Sequence, residues 1–192
     1  MDQLIEDTSQ YVINFLKKAL SPTLVFHTLK HTCEVVEAAE EIGVYSKLTV
    51  SEMNVLITAA WFHDCGYVYA YNGHEDESKN IAKSFLEQHN CSEDFISTVL
   101  GCIEATKFPQ SPRSTIEMAL CDADLYHFTK TTYPTYAQAI RKEFELCLHR
   151  IYTDQEWEKV NCGLLTMHTY CTDYGKKVLS EFKEVNIKLM GC

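Results

Sequence analysis

Apolar side chains recur along this chain at intervals of three and four residues and show no run of strict alternation, so the period is helical from end to end. The first predicted helix, about Gln3 to Leu20, carries Val12, Leu16, Ala19 and Leu20 on one side and stops at Ser21-Pro22. A second, about Leu29 to Ile42, shows Val35, Val36, Ala39 and Ile42 and ends at Gly43. Thr49-x-x-Glu52 reads as a capping box that opens a third helix, which runs through Met53, Leu56, Ile57 and Ala60 to His63-Asp64. A fourth, about Asp76 to Gln88, a fifth capped by Ser92 and a sixth capped by Ser114 follow. Further helices are expected at about Pro134 to Ile151, at Asp154 to His168 under a second box at Thr153-x-x-Glu156, and at Lys176 to Leu189. The pattern predicts an all-α protein, a compact helical bundle.

The chain of 192 residues suits one domain spanning 1–192 better than two. With 46% hydrophobic and 23% charged residues its make-up is ordinary for a globular protein. No stretch approaches the roughly 20 apolar residues needed to cross a bilayer, and the start, MDQLIEDTSQ, lacks the basic-then-apolar order of a signal peptide. No membrane association and a cytoplasmic location are therefore expected. The nine cysteines form no C-x-x-C pair, which argues against a zinc ribbon or a thioredoxin-like site. They are expected to be free, hydrophobe-like groups in a reducing compartment. A formal charge of -10 leaves no basic stripe for a nucleic-acid backbone, so duplex DNA or RNA is not an expected partner. A small anionic substrate stays compatible, because a bound cation reverses the field inside a cleft.

Chemistry concentrates at helix ends. His63-Asp64 terminates an apolar helix, and a buried carboxylate without a compensating charge is costly. His31 near the start of helix two and Asp124 in helix six complete a set of two imidazoles and two carboxylates. Such a set suits a divalent Mn, Fe, Ni, Zn or Mg ion and leaves open positions for water and substrate.

The order His31, His63-Asp64, Asp124 resembles the H…HD…D signature of the HD-domain superfamily of metal-dependent phosphohydrolases, over a motif core at 26–128. The resemblance implies a helical bundle with a divalent metal at its centre, here one tightly bound ion held by His31, His63, Asp64 and Asp124. Residues 133–192 are then helical cover for the cleft. It also implies cleavage of a phosphate monoester or diester in a small phosphorylated metabolite, a nucleotide among the candidates. Phe26-His27-Thr28-Leu29-Lys30-His31 resembles the H-N-x-x-H element of cyclic-nucleotide phosphodiesterases, whose first histidine protonates the leaving oxygen; His27 takes that role here. Thr28 replaces the asparagine, and Tyr67 stands where those enzymes carry a histidine. Cys121-Asp122-Ala123-Asp124-Leu125 and His74-Glu75 resemble segments of bacterial predicted HD phosphohydrolases. They imply Asp124 as the last ligand and Asp122 as an orienting group. They make His74 a candidate for a second metal and Glu75 the group that steers water activated by the metal. Lys107 is expected to meet the phosphate as a point charge, with Arg141 a weaker candidate. Two other classes remain open: a non-catalytic nucleotide-binding or signalling module built on the same pocket, and a di-iron oxygenase.

Overall fold

The computed structural model describes residues 2–192, and every regular element among them is helical. In chain order these are α1 (Asp2–Ala19), α2 (Leu29–Tyr45), α3 (Val50–Phe62), α4 (His74–Gln88), α5 (Glu93–Ala105), α6 (Thr115–Asp124), α7 (Tyr133–Leu148), α8 (Asp154–Met167) and α9 (Ser180–Leu189). The expected capping boxes form at Thr49/Glu52 and Thr153/Glu156, and a third forms at Ser114/Glu117. Each satisfies two orphan amides, which fixes where the helix begins.

α3 occupies the centre. Every residue from Asn54 to Phe62 is buried, because α1, α2, α5 and α6 surround it. A helix apolar on all sides is stable only under such complete cover. The main core therefore runs through Val12 and Leu16 of α1, Val35 and Ile42 of α2, Leu56 and Phe62 of α3, Ile103 of α5 and Leu120 of α6. A second core, of Phe128, Tyr133, Ala137, Trp157 and Leu165, packs α7 and α8 together.

Four boundaries differ from the sequence expectation. α2 runs on through Gly43 to Tyr45, so that glycine, buried inside the helix, does not stop it. α4 begins at His74, two residues early, because Gly73 before it takes a left-handed conformation (φ 79°) open to glycine. α7 ends at Leu148 because His149 turns left-handed (φ 54°) and returns the amide of Arg150 to Phe144 O. Before α9 the chain makes a π-helical turn, Gly175–Leu179, where Gly175 leaves room for the Asp122 carboxylate. A disulfide joins Cys162 to Cys192, with Cα atoms 5.3 Å apart. This corrects the expectation that all nine thiols are free: the fold brings together two cysteines that their spacing in the chain does not pair. No helix among the described residues is long and apolar enough to cross a membrane.

Candidate metal centre

His63 caps the end of α3, and the chain then drops into a 3-10 turn, Cys65–Val68. That turn lies against the first turn of α4 at Gly66, whose amide donates to Ser78 Oγ at 2.8 Å. A Cβ on Gly66 would lie 1.9 Å from His74 O, so only glycine permits the approach. The consequence is chemical: the docked turn places Asp64 between the end of α3 and His74.

α2 brings in His31. Thr28 caps this helix, its hydroxyl accepting from the amide of His31 at 3.5 Å. His31 Nε2 lies 3.2 Å from Asp124 Oδ1 and 3.5 Å from Asp64 Oδ2. His63 Nε2 lies 3.2 Å from Asp64 Oδ2 and 3.7 Å from Asp124 Oδ1. His31, His63 and Asp124 each offer a ligand atom within 4.8 Å of the others, and Asp64 Oδ2 joins them at the distances just given. The four ligands expected from the sequence thus converge.

The donor set passes a test of fit. His63 Nδ1 donates to Ala60 O at 2.8 Å, which leaves the Nε2 lone pair facing the cluster. Both His63 Nε2 and Asp64 Oδ2 are buried without a hydrogen-bond partner, although they face each other. Two buried acceptors left unpaired are costly unless a cation stands between them. Burial opposes charging His63, but Asp64 and Asp124 outweigh it and hold its pKa well above the usual value. Burial likewise opposes ionising Asp64, and His63 and His74 outweigh it and hold that carboxyl well below its usual range.

Around the cluster stands a ring of aromatic and acidic groups. His74 Nε2 lies 3.5 Å from Asp64 Oδ1, and its ring stacks on Tyr67 with centroids 3.7 Å apart. Tyr67 stacks in turn on His27, and its hydroxyl lies 3.2 Å from His27 Nε2. Glu75 is buried beside His74, Oε2 lying 3.7 Å from its Nδ1. A cavity of about 260 Å³ opens beside His31, walled by Phe26, Glu34, Thr132, Thr135 and Tyr136.

Sequence reasoning missed Glu143. This residue of α7 is 0% exposed, and one carboxylate oxygen accepts from the amides of Phe26 (2.8 Å) and His27 (3.1 Å). The other oxygen binds His27 Nδ1 and the hydroxyl of Tyr71, at 3.0 Å from the latter. The helical period marked α7 only as cover, and a charged residue on its buried face was the one available signal.

Other expected residues are engaged in contacts of their own. Lys107 is half-exposed just beyond the end of α5, with its ammonium 3.2 Å from Asp76 Oδ2 and 4.0 Å from Glu104 Oε1. Helix five ends at Ala105, and the lysine just beyond it is engaged by Asp76 of α4 and Glu104 of α5. Asp122 orients no ligand; it accepts from the amides of Cys171 and Thr172 and from the Thr172 hydroxyl, pinning the loop before the π turn. Arg141 is likewise engaged on the surface by Asp154 and Tyr152 O.

Two histidines and two aspartates gathered from three helices and one turn of a helical bundle form a group that could hold a divalent ion. The profile of the HD domain family matches residues 28–129, just over half of the chain, and the chain belongs to this family, within the metal-dependent phosphohydrolase superfamily. A crystal structure of a protein from Lactobacillus plantarum superposes with a TM-score of 0.70 at 15% identity, covering 100% of this chain and 95% of that one, a likeness of fold. No curated protein matches the sequence.

Proposed function

We propose that the protein is a metal-dependent phosphohydrolase that cleaves a phosphate ester of a small metabolite, a nucleotide being the leading candidate. The observation that carries the reading is the pair of unpartnered buried acceptors, His63 Nε2 and Asp64 Oδ2, within a His31/His63/Asp64/Asp124 cluster. Those four residues would hold a single divalent ion. When bound, such an ion supplies Lewis acidity, activating water and polarising a phosphoryl oxygen.

The chain's own residues do the rest. Glu75, buried at the start of α4, offers a carboxylate beside His74 to orient the attacking water. His27, whose Nδ1 is held by Glu143 and whose Nε2 lies 3.2 Å from the Tyr67 hydroxyl, delivers a proton from Nε2 to the departing oxygen. Glu143 is its positioning residue: it accepts from Nδ1 and fixes the angle of the ring, and the form that donates is the one carrying hydrogens on both ring nitrogens. Tyr67 and His74 stack as a wall that limits water on that side. The cavity walled by Phe26 and Tyr136 has room for a compact organic group and no macromolecule. Lys107, already engaged by two acids, has no part in this scheme.

The test is a screen of nucleotides and other phosphate esters with Mn, run beside metal analysis of the purified protein. Turnover that requires metal and disappears in His63→Ala supports the proposal. Metal binding without turnover across the panel would favour a receptor module, and two irons with oxygen consumption would favour an oxygenase.

A further inference from the structure

α9 is anchored firmly and yet leaves an apolar stripe uncovered. Its inner side is fixed by polar contacts: Asn186 donates to Phe128 O (2.7 Å) and Lys130 O (2.9 Å), and Lys183 donates to His168 O (2.5 Å). With that side inward, Phe182, Val185 and Leu189 stand outward at 54%, 51% and 65% exposure. Their spacing of three and then four residues puts them on one stripe, the spacing by which two helices interlock side chains. Three large apolar residues in such an arrangement mark an interaction surface more than ordinary surface scatter does.

The charges beside the stripe say what covers it. Glu181 and Glu184 border its first half and Lys188 its second half, on the solvent side. Glu184 and Lys188 enter none of the ion pairs formed among the described residues, although they are four apart on one helix. A helix acidic in its first half and basic in its second complements an antiparallel copy of itself. A twofold axis near Val185 sets Phe182 against the partner copy's leucine, the valines against each other, and Glu184 against the opposite lysine, twice over. In a twofold interface one patch must be complementary to itself, which this one is.

We infer that α9 is the face through which two copies of this chain associate, antiparallel and about a twofold axis. The stripe is small beside the roughly 800 Å² per partner of a standard stable interface, so the dimer is weak and depends on concentration.

Sedimentation of the full chain across a concentration series tests this. Wild type shifts from monomer to dimer, and Val185→Asp raises the dissociation constant at least about tenfold, since it places like charges at the axis. Glu184→Lys and Lys188→Glu each weaken association, because each sets like charges opposite one another at two places. An equimolar mixture of these two variants recovers it, as every pair is then opposite in sign. All three positions are exposed, and circular dichroism verifies that the variants keep their helices. Wild type that stays monomeric, a dimer indifferent to Val185→Asp, or charge variants whose mixture gains nothing would each overturn the inference.

Discussion

Glu143 on α7 grips His27 from 116 residues further along the chain, binding both its backbone amide and its ring Nδ1. In the proposed function α7 is therefore part of the site, since the group that holds the His27 ring comes from outside the 28–129 match. His27 is held, and the hold has a consequence for rates. Removing His27 as His27→Ala should cost turnover on an alkyl phosphate by roughly a hundredfold, the lower range of acid catalysis. On p-nitrophenyl phosphate, whose leaving group departs without a proton, the loss should be far smaller. Steady-state kinetics on both esters decide this; equal losses would remove His27 from the proton path.

Glu143→Gln keeps the shape of the side chain and removes its charge. We expect kcat to fall roughly tenfold or more with KM nearly unchanged, because the ring is less firmly oriented while the cavity is untouched. Glu143→Ala should also destabilise the fold by about 2 kcal/mol or more, as it strands the amides of Phe26 and His27 and the hydroxyl of Tyr71. Urea unfolding of the two variants separates these effects.

Much of this site was legible in the sequence, and the division is physical. His31, His63, Asp64 and Asp124 stood out because they occupy fixed positions at helix ends, where local spacing governs direction. The grip of Glu143 was hidden, because it joins segments that only tertiary packing brings together. The partners of Lys107 were hidden for the same reason: the resemblance gave its place after α5 but not the acids of α4 and α5 that engage it. The Cys162–Cys192 bond follows from the docking of the chain end on α8, which no spacing rule contains. Helix positions fared better; two of the slips trace to a left-handed residue, Gly73 or His149, and the late start of α9 to the π turn before it.

Gly66→Ala is predicted to be among the most damaging single substitutions in the chain. The added methyl meets backbone on two sides, His74 O at 1.9 Å and Ser78 N at 2.7 Å, so α4 must move away from the turn. A loss of about 3 kcal/mol or more is expected by the scale for overpacking in a rigid core. Thermal unfolding measures it, and metal affinity should fall with it, since the same contact places Asp64.

The pH dependence of stability should differ between the metal-free and metal-loaded protein. In the metal-free chain His63 has a pKa raised above its usual 6.5. Its protonated form therefore contributes stability that is complete below about 6.5 and is lost as pH rises through the raised value. Asp64 and Asp124 are shifted down, so their share is present above 3.8 and is lost as pH falls below it. The metal-free protein should be most stable between these limits, with a melting temperature that drops on the alkaline side. A divalent ion replaces the proton on His63, so the melting temperature gained on adding Mn should grow from pH 6 to pH 8. Differential scanning fluorimetry at fixed metal concentration checks the trend; a gain that shrinks with rising pH would contradict it.

The most direct test is the metal content of the chain itself. Protein loaded with Mn and then dialysed should retain one ion per chain by elemental analysis, while His63→Ala and Asp124→Ala, still helical by circular dichroism, should retain none. Wild type that holds no ion, or variants that hold as much as wild type, would contradict the metal centre described here.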